Sequence, residues 1–124
     1  MPHVAPKWEH LEGRVIGNGH CIPLVREACG LPPTAHWRRG ERVQGAGHIL
    51  PGTAVATFHG DRYASATDGS SHAALFLEHR GHGSIKVMDQ WVGHPASYRV
   101  IREKFGAGPA VDDAGKYYVV ELVE

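Results

Sequence analysis

The chain has 124 residues and a mass of 13.5 kDa, the length of one ordinary domain, so we predict a single domain over residues 1–124. Thirteen lysines and arginines balance thirteen aspartates and glutamates. Nucleic-acid and anionic-membrane partners are therefore not expected, since both need a concentrated positive face. Hydrophobic residues make up 42% of the chain, which is enough for a core, and two cysteines are too few for a disulfide framework.

The N-terminal segment does not have the pattern of a secretory signal. Residues 1–9 lack the apolar region of a signal peptide, and no segment approaches the roughly 18 to 20 apolar residues of a membrane span. We therefore expect no membrane insertion. We also expect that the protein, made in the cytoplasm, either works there or leaves by a route that does not read such a signal.

A short helix is predicted from Cys21 to Cys29. Its apolar positions recur three and four residues apart, at Cys21, Leu24, Val25, Ala28 and Cys29. Pro23 suits the first turn, where its missing N–H is no loss, and Gly30 with the prolines after it ends the helix. The two cysteines would lie about 12 Å apart on this helix, too far for a disulfide.

The rest of the chain is predicted to form a short second helix and then strands. The second helix is placed around Trp37, from Thr34 to Arg42. Short β-branched or aromatic runs follow, separated by turn residues: Thr53–Phe58, His72–Leu77, Ile85–Trp91, Tyr98–Arg102 and Tyr117–Val123. One helix followed by antiparallel strands predicts an α+β fold, with the Cys21 helix packed on a sheet of about five strands.

Cys21 is the candidate nucleophile because it stands at the start of the predicted helix. Backbone N–H groups at a helix N-terminus lower the pKa of a thiol, and a neighbouring imidazolium lowers it further. Gly17 and Gly19 allow the chain to turn tightly into the helix and leave the sulfur uncovered. The alternative is that Cys21 is a small buried hydrophobe on the apolar stripe, the role that we predict for Cys29.

His72 and Asp89 are the candidate partners of the thiol. His72 opens an apolar strand beside small residues, so its imidazole can stand at the end of the sheet. Asp89 shares a strand face with Ile85 and Val87, and a carboxylate there can accept the second N–H of the ring. Gln90 is the alternative for that role, and because it points to the opposite face only one of the two can serve. The plainer alternatives are a histidine placed there by chance and a solvated carboxylate at a strand end.

Four further residues are candidates for binding the substrate or the oxyanion: Asn18, His20, Gln90 and Trp91. Backbone N–H groups at the turn into the helix can receive the oxyanion of a tetrahedral intermediate, with the Asn18 side chain as a helper. His20 is also kept as a competitor of His72. Trp91, Tyr63 and Tyr98 are candidates for lining a groove, with packing as the alternative.

The ten histidines do not make a metal site in this sequence. His79 and His82 form an H-x-x-H on a turn, but it has no companion cysteine pair, and no H-E-x-x-H occurs. The glycine-rich segments lack the Lys-Ser/Thr of a phosphate-binding loop. We therefore expect neither a metal nor another cofactor.

The order Cys21, His72, Asp89 resembles the papain-like superfamily of small bacterial cell-wall hydrolases, the NlpC-type and CHAP amidases and endopeptidases. More narrowly, it is similar to the amidase effectors that bacteria inject through type VI secretion systems. The resemblance runs from about Val15 to Glu124 and includes a Gly-Thr-apolar strand at 52–58. It implies a papain-like core with a nucleophilic Cys21, a general base His72 and a ring-orienting Asp89. Neither an aspartate nor a glutamine directly precedes Cys21, so the resemblance does not identify the oxyanion donor.

The resemblance implies a cysteine hydrolase that cleaves amide bonds in peptidoglycan stem peptides. It further implies an antibacterial effector, secreted without a classical signal peptide and acting in the periplasm of target bacteria. A cognate immunity protein is left open as a partner. Two alternatives remain from the residues themselves: a peptidase or deamidase of proteins, which the same triad serves, and a non-catalytic domain of the same fold.

Overall fold

The computed structural model describes residues 2–64 and 70–123. Within these ranges the helix is α1 (Cys21–Cys29), and the strands are β1 (Trp37–Arg42), β2 (Thr53–Thr57), β3 (Ala73–Arg80), β4 (Ser84–Trp91), β5 (His94–Ile101) and β6 (Tyr117–Leu122). The strands form one antiparallel sheet in the order β1-β6-β2-β3-β4-β5. The predicted α+β architecture is confirmed, as are the helix and the five predicted strands, with bounds that differ by a few residues.

The second predicted helix is wrong. Only Thr34–His36 forms a single 3-10 turn, and the chain then enters β1, so the sheet has six strands within the described ranges instead of about five. Trp37 is fully buried and its indole N–H donates to the Pro32 carbonyl at 3.0 Å. Pairing with β6 gives this segment backbone partners that sequence periodicity could not reveal, and its exposed charged residues protect the sheet edge.

The ends of α1 follow from its sequence. Leu24 and Val25 are buried, whereas the thiol residues at both ends of the helix are half-buried. Gly30 adopts a left-handed conformation with φ +68°, and the Leu31 N–H donates to the Arg26 carbonyl at 3.0 Å. This is the C-terminal cap that the glycine predicts.

Each face of the sheet carries its own apolar cluster, which explains the continuous apolar runs of β3 and β4. The α1 face buries Leu24, Val25, Ala73, Leu75 and Met88 among others. The second face buries Ala74, Phe76, Ile85, Val87 and Tyr117, and loop residues Val43, Ile49 and Ala114 pack onto it. Strands covered on both faces need no polar alternation.

No helix in the described ranges combines the length and the apolar character needed to cross a membrane.

Candidate active site

Cys21 is the first residue of α1, and the loop before it is fixed by Gln90 on β4. The Gln90 side chain accepts from the Ile16 N–H at 3.0 Å and donates to the carbonyls of Ile16 and His20 at 2.8 and 2.7 Å. Gln90 is fully buried. These bonds tie both ends of the approach loop to the sheet and so set the position of the sulfur. The Asn18 side chain accepts from the His20 N–H at 3.1 Å, which closes the loop between them.

His72 stands immediately before β3 and is held there by Thr57. Its backbone N–H donates to the Thr57 hydroxyl at 2.9 Å, and the Thr57 N–H donates to the His72 carbonyl at 2.9 Å. The His72 side chain is 8% exposed, and its Nε2 lies 2.8 Å from Oδ2 of a fully buried Asp89. Side chains alternate along β4, so Asp89 shares the second sheet face with Val87, and His72 reaches it from the end of the sheet.

The geometry therefore pairs His72 with Asp89 and turns Gln90 to the other face of β4. Because Nε2 faces the carboxylate, Nδ1 is the ring nitrogen left for the thiol. A carboxylate in this position fixes the tautomer and the orientation of the ring.

The sulfur and the ring are electrostatically coupled. Burial raises the pKa of Cys21, but the hydrogen bond and the charge of His72 outweigh burial and leave the pKa lowered. Burial likewise opposes the charged form of His72, but hydrogen bonds to Asp89 and to Cys21 raise the pKa of His72 to about 9. The lowered pKa of the thiol and the raised pKa of the ring both favour a thiolate beside an imidazolium over the neutral pair.

Cys29 shows what the same helix does to a thiol without such partners. Its sulfur donates weakly to the Gly52 carbonyl at 3.6 Å, and burial raises the pKa of Cys29 to about 12. Two cysteines on one helix thus have opposite chemistry, and the difference follows from their surroundings.

Tyr63 stands next to Cys21, the candidate nucleophile. Its hydroxyl lies 4.0 Å from the Cys21 sulfur, and its ring packs against Trp37 and Phe58 at 5.4 and 6.2 Å between centroids. Burial, followed by the neighbouring Cys21 charge, raises the pKa of Tyr63, so the hydroxyl keeps its proton and can donate to the thiolate. The sequence suggested Tyr63 only as a groove residue.

Trp91 lies beside the histidine at the exposed rim. It is 41% exposed, its ring is 6.4 Å from that of His72, and it stacks on His94 with centroids 3.9 Å apart. Tyr98 is placed differently: it pairs with Met88 across β4 and β5, and the Lys86 ammonium lies 4.8 Å from its ring.

The remaining candidates occupy the approach to the helix. His20 is the exposed N-terminal cap of α1, and Asn18 is exposed two residues earlier. His72 is the histidine that changes the pKa of Cys21. The described ranges contain no group of three or more His, Cys, Asp or Glu side chains able to hold a metal.

Sequence reasoning missed Arg99 on β5. Its guanidinium donates from Nε and Nη2 to Oδ2 of Asp89, at 2.9 and 2.8 Å. The only signal in the sequence was an arginine in a strand near the predicted Asp89 strand, and the register that brings the two together is a property of the folded sheet.

Comparisons with known proteins agree with the sequence-based resemblance. The family model described as domesticated amidase effector 2 matches residues 4–120. The type VI secretion amidase effector 2 protein of Salmonella typhi is 36% identical over 102 residues, which is 81% of this chain and 75% of that protein. A solved structure of a type 6 secretion amidase effector 2 superposes with a TM-score of 0.85 at 30% identity, covering 98% of this chain and 96% of that one.

The match of the family model extends over nearly the whole chain, and the structural match shows the same fold. The predicted likeness to amidase effectors, and with it the predicted enzyme class, is confirmed. The chain therefore belongs to the domesticated amidase effector 2 family.

Proposed function

We propose that the protein is a cysteine amidase that hydrolyses amide bonds in the peptide stems of peptidoglycan, with Cys21, His72 and Asp89 as its catalytic residues. The observation that carries this proposal is the buried imidazole placed between a sulfur at a helix N-terminus and a carboxylate at 2.8 Å. Membership of a family of amidase effectors supports the reaction class.

In the first half of the reaction the Cys21 thiolate attacks the amide carbonyl. The first N–H groups of a helix have no partner within it, so those at the start of α1 are the donors we assign to the developing oxyanion. The Tyr63 hydroxyl, 4.0 Å from the sulfur, is a further donor that we assign to this step. The His72 imidazolium then protonates the leaving amine, which releases it and leaves a thioester on Cys21.

In the second half the neutral imidazole of His72 removes a proton from water, and the resulting nucleophile attacks the thioester. The acid product leaves and the thiolate and imidazolium are restored. Asp89 keeps Nδ1 of the ring directed at the sulfur throughout, because it holds Nε2. Trp91 is exposed beside His72 and is the residue that we assign to contact the stem peptide.

Names of two relatives refer to type VI and type 6 secretion. We therefore infer delivery by such a system into the periplasm of target bacteria, where the substrate lies. A cell that produces this enzyme also receives it from neighbouring cells of the same kind. Such a cell needs a protein that blocks the active site, so we infer a cognate immunity protein.

Replacement of the nucleophile tests the proposal. Cys21→Ala should abolish release of soluble fragments from purified sacculi, measured by mass spectrometry of muropeptides, while circular dichroism stays unchanged. Cys29→Ala is the matched control, because it removes the other thiol of α1 and should retain activity. Full activity of the Cys21 variant would overturn the assignment of the triad. A wild-type protein that releases nothing from sacculi but cleaves a protein substrate would overturn the choice of peptidoglycan as substrate.

A further inference from the structure

We propose that Arg99 is a positioning residue of this reaction, which holds the buried carboxylate of Asp89 against His72. The inference rests on the proposed triad and adds a fourth member to it. Arg99 does not touch the sulfur or the substrate in this role, since it acts through Asp89.

The first support is the crowding of donors on one oxygen. Oδ2 of Asp89 accepts from Nε2 of His72 at 2.8 Å and from two nitrogens of Arg99 at 2.9 and 2.8 Å. The other oxygen, Oδ1, is buried and accepts no hydrogen bond from the described residues. Without Arg99, the imidazole of His72 would be the one side chain of the described residues that donates a hydrogen bond to this fully buried carboxylate.

The second support is that Arg99 is itself held from the opposite side. Its Nη1 donates to Asp112 at 3.1 Å, its Nη2 donates to the Val111 carbonyl at 3.3 Å, and its guanidinium carbon lies 5.5 Å from the ring centre of Trp91. The Val111 carbonyl also accepts from the Tyr117 hydroxyl at 2.7 Å. A guanidinium fixed at both ends cannot leave the carboxylate without breaking several contacts.

The segment that holds Arg99 has a rigid anchor of its own. Asp113 is buried and accepts from the backbone N–H groups of Lys104, Gly106 and Gly115 at 2.9 to 3.0 Å. These bonds fold the segment between β5 and β6 so that Asp112 and Val111 face Arg99. This anchored segment thus presents Asp112 and the Val111 carbonyl to the guanidinium of Arg99.

The third support is charge. The groups that act on Asp89 from the packed elements are His72 before β3, Arg99 on β5 with Asp112 next to it, and the protonated Tyr117 on β6. Cys21 is hydrogen-bonded to His72. The charges therefore alternate in sign along the series from the Cys21 thiolate of the proposed mechanism through His72 and Asp89 to Arg99 and Asp112. A buried carboxylate needs such compensation to remain charged. The pKa of Asp89 is lowered, against the effect of burial, by its hydrogen bond to His72 and by the charge of Arg99.

The test measures the thiol directly, so that it does not depend on the identity of the substrate. The rate of Cys21 alkylation by iodoacetamide is followed against pH by peptide mass spectrometry in the wild type and in Arg99→Met. Loss of the cation should raise the pKa of the carboxylate and of the thiol, moving the acidic limb of the profile to higher pH by about one unit or more. Asp89→Asn should show the same direction of change.

Arg39→Met is the matched control. Arg39 also lies over an aromatic ring, that of Tyr118 at 5.1 Å, and faces a carboxylate, that of Asp61 at 3.7 Å, but on β1 and at the surface. Its alkylation profile should coincide with that of the wild type. If Arg99 only stabilised the fold, Arg99→Met would reduce the fraction of folded protein, and the folded molecules would show the acidic limb of the alkylation profile at the wild-type pH.

An unchanged acidic limb in folded Arg99→Met would overturn the proposal. If that variant does not fold, Arg99→Lys decides: a single ammonium cannot replace two guanidinium nitrogens, so kcat on sacculi should fall several-fold at unchanged KM, and a wild-type kcat would overturn the proposal. A wild-type Cys21 that reacts no faster than a free thiol would instead overturn the triad. If the wild type does not degrade peptidoglycan while Arg99→Met still shifts the acidic limb of the alkylation profile, only the proposed substrate is overturned.

Discussion

Replacing Gln90 by methionine should weaken the fold and displace the nucleophile at the same time. The methionine keeps the length of the side chain but removes all three bonds to the loop before α1. The N–H of Ile16 and the carbonyls of Ile16 and His20 would then lose their buried side-chain partner. Because this loop leads directly into Cys21, the loss acts on the position of the sulfur as well as on stability.

The expected magnitude follows from the number and the burial of these bonds. Three bonds at about 1 kcal/mol each, together with the cost of leaving the buried Ile16 N–H without its partner, give about 3–5 kcal/mol, while the Ile16 carbonyl keeps its bond from the Gly19 N–H at 3.2 Å. That is a large share of the roughly 5–15 kcal/mol by which a domain of this kind is stable. The free energy of unfolding from urea titration, and kcat on sacculi for the folded variant, should therefore both fall.

Gln44→Met is the matched control for the loss of a glutamine amide. The Gln44 side chain donates to the Gly83 carbonyl at 2.6 Å and to Glu103 at 2.7 Å, but nearer the surface and away from the loop before α1. We expect it to cost about 1 kcal/mol and to leave kcat unchanged. If Gln90→Met instead kept wild-type stability and lost kcat alone, Gln90 would be an oxyanion donor and our assignment of it to loop support would be refuted.

Two further predictions concern pH and the approach loop. Between pH 6.5 and about 9 the raised pKa of His72 makes the stability of the fold decrease with rising pH, whereas the lowered pKa of Cys21 makes it increase, so the two contributions oppose each other. Cys21→Ala removes the hydrogen bond and the charge that help to raise the pKa of His72, so the NMR titration of this imidazole should move to lower pH in the variant; a titration that stays in place would contradict the coupling of the sulfur to the ring. Gly17 has φ +60°, and a Cβ there would lie 2.6 Å from the Pro23 Cβ, so Gly17→Ala should lower both the melting temperature and kcat. Gly13→Ala, with φ +83° and open space around it, tests the backbone strain alone, and an equal loss in the two variants would refute the steric argument.

Local patterns in the sequence were enough for the helix and for the face of Asp89. The apolar spacing, Pro23 and Gly30 depend on neighbours a few residues away, and a helix of nine residues expresses them directly. Alternation along β4 has the same local origin, so the placement of Asp89 with Val87 and of Gln90 on the opposite face could be read from the chain. The order of cysteine, histidine and carboxylate then led to the family that the comparisons confirm.

The tertiary structure alone decided which partners each of these residues meets. Trp37 became the start of a strand because it pairs with β6, and Gln90 became a support for the loop before α1 because Ile16 runs past β4. Arg99 reaches Asp89 through the register of β4 and β5. These contacts join positions far apart in the chain, and their energies depend on burial and distance, which no local pattern encodes.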